Sequence, residues 1–107
     1  MTTFDERKDA YENKFAHDAE LKFRAEARRN RLLGRWAAEV LGKTAAEADA
    51  YALSVVQADL QEAGDQDVFR KVRADFDAAG IARTNEEIRD QMDKLLVIAA
   101  EQIEKEG

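Results

Sequence analysis

The chain has 107 residues, 45% of them apolar and 37% charged, with a formal net charge of −6. Twenty of the apolar residues are alanine, which leaves material for one modest core in one domain and none for a deep enclosed cavity. The absence of Cys excludes disulfides, thiolate metal sites and cysteine nucleophiles, and no apolar run approaches the roughly 18 residues of a membrane span.

An alanine-rich, charge-rich chain without proline reads as all-α. Punctuation cuts it into four helices, near 3–41, 45–63, 66–79 and 85–105. Gly42-Lys43-Thr44 closes the first, and Thr44-Ala45-Ala46-Glu47 opens the second as a capping box. Ala63-Gly64-Asp65 supplies a left-handed stop followed by an N-cap residue. Ala79-Gly80 closes the third helix, and Thr84-Asn85-Glu86-Glu87 is a second capping box. Short connections favour an antiparallel up-down-up-down four-helix bundle.

The apolar faces fit these cuts. Leu32, Leu33, Trp36 and Val40 form the first stripe, and Ala48, Tyr51, Ala52, Val55, Val56 and Ala63 the second. Val68, Phe69, Val72, Phe76 and Ala79 supply the third, and Ile88, Met92, Leu95, Leu96, Ala99 and Ile103 the fourth. The first helix is too long for such a bundle, so its N-terminal part is expected to project or fray. Its core stripe is expected to stop at Arg29, Lys22 and Asp18 and to resume at Phe15, Tyr11 and Phe4. Residues 1–20 therefore read as a partner-binding segment and residues 21–107 as the bundle.

The chemical inventory is thin. One His, no Cys and scattered glycines supply neither a nucleophile–base arrangement nor a phosphate loop, so the chain does not read as an enzyme and no metal site is expected. Glu86, Glu87, Asp90 and Asp93 read as a solvated face. His17 reads as an exposed helical residue, with a proton-sensitive partner contact as the sharper alternative. The opening Met-Thr-Thr-Phe-Asp-Glu lacks the pattern of a secretory signal.

Charge divides unevenly along the chain. Residues 1–42 hold 9 Lys/Arg and 8 Asp/Glu (+1), whereas residues 43–107 hold 8 and 15 (−7). Lys22, Arg24, Arg28, Arg29, Arg31 and Arg35 face the single acid Glu26 and form a secondary basic surface. Three readings stay open for it: pairing with acids on neighbouring helices, docking of an acidic protein, or contact with nucleic acid. The acidic remainder and the lone nearby aromatic, Phe23, argue against nucleic acid.

Three stretches carry a family resemblance. They are Lys14-Phe15-Ala16-His17-Asp18-Ala19-Glu20-Leu21, the run Ala25 to Gly34 with Trp36-Ala37-Ala38, and Asp67-Val68-Phe69-Arg70-Lys71-Val72-Arg73 with Asp75-Phe76. The sequence resembles the zeta-subunit family of alphaproteobacterial F-type ATP synthases over nearly its whole length. The resemblance implies a cytoplasmic four-helix bundle, monomeric when free and docked at the membrane's inner face through the synthase. It implies an inhibitor of ATP hydrolysis whose N-terminal segment wedges into an α/β catalytic interface near the central stalk, in contact with α, β and central-stalk subunits. It also implies weak ADP/ATP binding at an unassigned site, with no cofactor required and no direct membrane insertion.

The apolar pattern offers a part for such a wedge: Phe4, Tyr11 and Phe15 stand at i, i+7 and i+11 of an amphipathic helix. Arg7, Lys8 and Lys14 would then meet acidic groups on the partner, with His17 at the end of the segment. A non-inhibitory helical adaptor, or a nucleotide-sensing subunit of the same complex, is the alternative reading.

Overall fold

A computed structural model of the chain describes residues 18–58 and 65–106. Those residues form four helices and no strand: α1 (Ala19–Val40), α2 (Ala45–Ala58), α3 (Gln66–Ala78) and α4 (Asn85–Glu106). The expected end of the second helix, 59–63 with its Gly64 stop, lies outside the described residues.

The caps form as the sequence predicts. Thr44 and Glu47 exchange bonds, with the Thr44 N–H donating to Glu47 Oε1 at 2.8 Å and the Glu47 N–H to Thr44 Oγ1 at 3.3 Å. Thr84 and Glu87 do the same at 3.3 and 3.1 Å. At the other ends, Gly42 and Gly80 take φ values of +76° and +71°, where an L side chain is strained. Each sits in a Schellman turn: the Lys43 N–H reaches the Ala38 carbonyl at 3.0 Å and the Ile81 N–H reaches Phe76 at 2.8 Å. Asp65 departs from the expected side-chain cap. It stands at the N-cap of α3 without a side-chain cap bond, and its Oδ1 instead accepts from Arg89 of α4 at 3.0 Å.

The first helix differs from expectation in two ways. It does not run unbroken through Asp18, whose backbone is extended (φ −122°, ψ 94°) and whose carboxylate accepts the Leu21 N–H at 3.0 Å. A short carboxylate competes with the helix's own bonds and so favours a start over an interior position. The expected stretch from Thr3 to His17 lies outside the described residues.

The buried stripe also does not stop at Arg29. It continues through fully buried Ala25 to half-buried Leu21, which pack with Leu96, Ala100 and Ile103 of α4 as a second apolar cluster. The buried face of α1 is built from small residues (Ala25, Gly34, Ala37, Ala38) around Leu33, because they let neighbouring backbones approach closely. An ideal Cβ placed on Gly34 would lie 2.5 Å from Ala52 Cα. The large residues Leu32, Trp36 and Val40 flank the stripe, half-buried.

The main core gathers Leu33, Ala37, Val55, Val68, Val72, Phe76, Ile88 and Met92, with Leu95 at its border. Phe76 is fully buried and meets the edge of Trp36, ring centroids 5.7 Å apart. α1 contacts each of the other three helices, α2 and α4 most extensively. Among the expected apolar positions, Ala79 is exposed, beside the Gly80 turn.

Candidate partner-binding surface

Phe4, Arg7, Lys8, Tyr11, Lys14, Phe15 and His17, expected to form the partner-binding segment, all lie outside the described residues. The segment joins the bundle at Asp18, whose cap fixes where α1 begins.

The six basic residues of α1 do not form one surface. Arg29 is a correction to the expected belt: it is 4% exposed, on the inward face of α1, and its Nε donates to Asn30 Oδ1 at 2.6 Å. The 3.6-residue turn carries positions 29 and 30 inward between Ala25 and Leu33, whatever the charge of the run. The guanidinium's long stem is covered by packing.

Arg28 and Arg35 follow the reading of intramolecular pairing. Arg28 grips Glu106 with two bonds of 2.5 and 2.9 Å and reaches Gln102 at 3.4 Å, joining α1 to the end of α4. That bond from Arg28, helped by the fields of Arg28 and Arg24, holds the Glu106 carboxyl below its ordinary pKa. Arg35 reaches Asp49 of α2 at 3.3 Å. Lys22, Arg24 and Arg31 are exposed, and neither Arg24 nor Arg31 has a carboxylate within ion-pair distance among the described residues.

Beside these two arginines lies a groove between α1 and α2, of about 650 Å³. Ala27, Ala52, Val56 and Ile103 line it, and Phe23 and Leu53 stand at its rim, 63% and 57% exposed. Arg24, Arg28 and Arg31 flank it on the α1 side. The sequence reading places Phe23 only as a stray aromatic and Leu53 on no face. The available signal is Leu53 alone, an apolar residue off the expected stripe of α2; Val56, expected on that stripe, is half-buried and lines the groove instead.

A second polar cluster ties α2 to α3. The Tyr51 hydroxyl donates to Asp75 Oδ2 at 2.7 Å, which also accepts from Lys71 at 3.0 Å. The Lys43 and Lys71 ammoniums stand 5.5 and 5.1 Å from the Tyr51 ring centroid. Burial first, then the bond to Asp75, push the phenol's pKa up, so Tyr51 stays a donor at physiological pH. Every member of this cluster has a partner, so the cluster reads as a clasp.

Among the described residues, no three or more His, Cys, Asp or Glu gather as a metal site. No helix among them is long and apolar enough to cross a membrane.

Comparison with known proteins assigns the chain as a whole. The family profile described as ATPase inhibitor subunit zeta matches residues 1–102. One solved chain, described only as a solution NMR structure of the protein, is 48% identical and superposes with a TM-score of 0.72, covering 81% of this chain and 99% of its own length. No curated protein matches.

Proposed function

The chain belongs to the ATPase inhibitor subunit zeta family, and on that premise we propose that it inhibits ATP hydrolysis by a rotary F-type synthase through its N-terminal segment. Residues 1–17 act as the wedge, entering an α/β catalytic interface of the head beside the central stalk. Phe4, Tyr11 and Phe15 are the anchors, and Arg7, Lys8 and Lys14 set register and on-rate against acidic groups. The bundle, taken as up-down-up-down, is the stop that limits insertion. It performs no reaction of its own, and it works at the inner face of the membrane through the synthase.

The family profile carries this reading, because its match extends through residues 1–17 as well as the bundle. The amphipathic spacing of the three aromatics supports the wedge, and the Asp18 cap supports a boundary between arm and bundle. Each aromatic buried in a partner groove supplies about 1–3 kcal/mol, offset by the cost of ordering the segment.

The test is hydrolysis by purified catalytic heads titrated with the full chain and with a chain lacking residues 1–17. That deletion leaves Asp18 in place to cap α1. The full chain should depress hydrolysis and the shortened one should not. Equal inhibition by both would move the inhibitory contact to the bundle, and no inhibition by either would support a non-inhibitory adaptor.

A further inference from the structure

We infer that the α1–α2 groove is a second docking surface, separate from the N-terminal wedge, and that its occupant is an acidic amphipathic helix of a partner protein. Two exposed apolar side chains on neighbouring helices, Phe23 and Leu53, face one groove with an apolar lining. That combination is costly to leave in water and suits a helix laid in a groove. From Phe23 to Arg31 the α1 rim runs about 12 Å at ~1.5 Å per residue. Two turns of a docked helix span that length, enough for anchors at i, i+3 or i+4, and i+7.

Charge names the partner's chemistry. Arg28 is neutralised by Glu106, and the one acid among the lining residues, Asp49, is shared with Arg35. Among the described residues Arg24 and Arg31, one helical turn to either side of Arg28, have no carboxylate within ion-pair distance, and Arg24 lends Glu106 only its field. Such a rim attracts a helix with Glu or Asp flanking its apolar stripe and repels a basic one. The rest of the bundle carries −7 over residues 43–107, so the positive rim is a local exception that fixes where such a helix settles. An apolar lining of Ala27, Ala52, Leu53, Val56 and Ile103 favours a side-chain stripe over a phosphate ligand, which would leave those residues uncovered. The inference does not depend on the inhibitory reading, since it uses no residue before Asp18.

The test uses the full-length chain and two synthetic 18-residue helical peptides with the same leucine stripe. One carries Glu and the other Lys at the remaining positions. Fluorescence anisotropy measures affinity, and amide chemical shifts locate the contact. The Glu peptide should bind saturably, with shifts centred on Phe23, Ala27, Arg31, Leu53 and Val56, and about tenfold or more tighter than the Lys peptide. Arg24→Glu with Arg31→Glu should weaken the Glu peptide at least about tenfold and strengthen the Lys peptide. Phe23→Ser with Leu53→Ser should weaken both, and both positions are exposed enough for the variants to fold.

Equal binding of the two peptides, no binding, or shifts mapping elsewhere would overturn the inference. So would Glu-peptide binding that emerges only when residues 1–17 are removed, which would assign the groove to the chain's own segment. Concentration-dependent self-association that is lost in Phe23→Ser/Leu53→Ser would assign it to a second copy. Groove shifts with ADP but none with the Glu peptide would assign it to a nucleotide.

Discussion

Gly34 is the residue on which the α1–α2 contact turns. A methyl group there would meet the Ala52 backbone at 2.5 Å, and backbone cannot swing aside as a flexible side chain does. Gly34→Ala is therefore expected to lower stability by about 1–3 kcal/mol through overpacking, despite alanine's better helix propensity. Denaturation followed by the fluorescence of Trp36, the chain's one tryptophan, measures it. A stabilised variant would contradict the close crossing. Gly34 stands inside a helical pattern without a turn around it, and a lone sequence does not reveal which neighbour requires it. Arg29 is the companion case. Its charge suggests a surface position, and only the helical phase set by Ala25 and Leu33 shows that it faces inward.

At the scale of elements, the helix ends were the most legible feature. Thr44/Glu47 and Thr84/Glu87 form the expected reciprocal bonds, and Gly42 and Gly80 provide the expected left-handed stops. These signals are local, written within four or five residues, so tertiary packing has little scope to overrule them. The stripe of α1 was less legible, because its buried face is made of alanine and glycine, which carry little hydropathy signal, and because Arg29 interrupts it. The groove was not legible, since it arises where two helices meet and belongs to neither.

The capping boxes have a pH signature. Bonds from the Thr44 and Thr84 backbone N–H groups hold Glu47 and Glu87 below the ordinary value of 4.5, and the bond from Arg28 does the same for Glu106. A carboxylate whose pKa is depressed by folding adds stability above its unfolded pKa and loses it as pH falls through the folded one. Stability should thus decline below about pH 4.5, and Glu47→Gln with Glu87→Gln, which removes the two titrating carboxylates while leaving the backbone donors in place, should make that decline shallower. Thr44→Ala and Thr84→Ala, which remove the hydroxyl caps, should each cost about 0.5–2 kcal/mol at neutral pH. Urea unfolding between pH 3 and 7 checks both effects. An unchanged acid slope in the double glutamine variant would remove the boxes as its source.

α3 is held to the rest by Val68, Val72 and Phe76, all fully buried. Phe76→Ala should cost about 3–5 kcal/mol, a large share of the stability of a domain this size. It should also shift the emission of Trp36, whose ring Phe76 contacts. Native emission and an unchanged unfolding midpoint would show that this contact does not hold the core.

On the scale of the whole molecule, the charge asymmetry of the sequence acquires a spatial meaning. Arg28 and Arg35 are spent within the fold on Glu106 and Asp49, and Arg29 is withdrawn from the surface. Of the six basic residues of α1, those left are the exposed Lys22, Arg24 and Arg31; Arg24 and Arg31 line the groove, and Lys22 immediately precedes its first lining residue, Phe23. The described bundle presents a helical scaffold with a groove and a clasp. The family to which the chain belongs is that of an ATPase inhibitor subunit.

In the proposed mechanism the aromatic face of residues 1–17 does the inhibiting while the bundle carries it. The most direct measurement is ATP hydrolysis by purified catalytic heads titrated with the full-length chain and with its Phe4→Ser/Tyr11→Ser/Phe15→Ser variant, with Trp36-monitored unfolding run in parallel. The unfolding midpoints should coincide, and inhibition should be lost in the variant. A variant that folds alike and inhibits as strongly as its parent would contradict that mechanism.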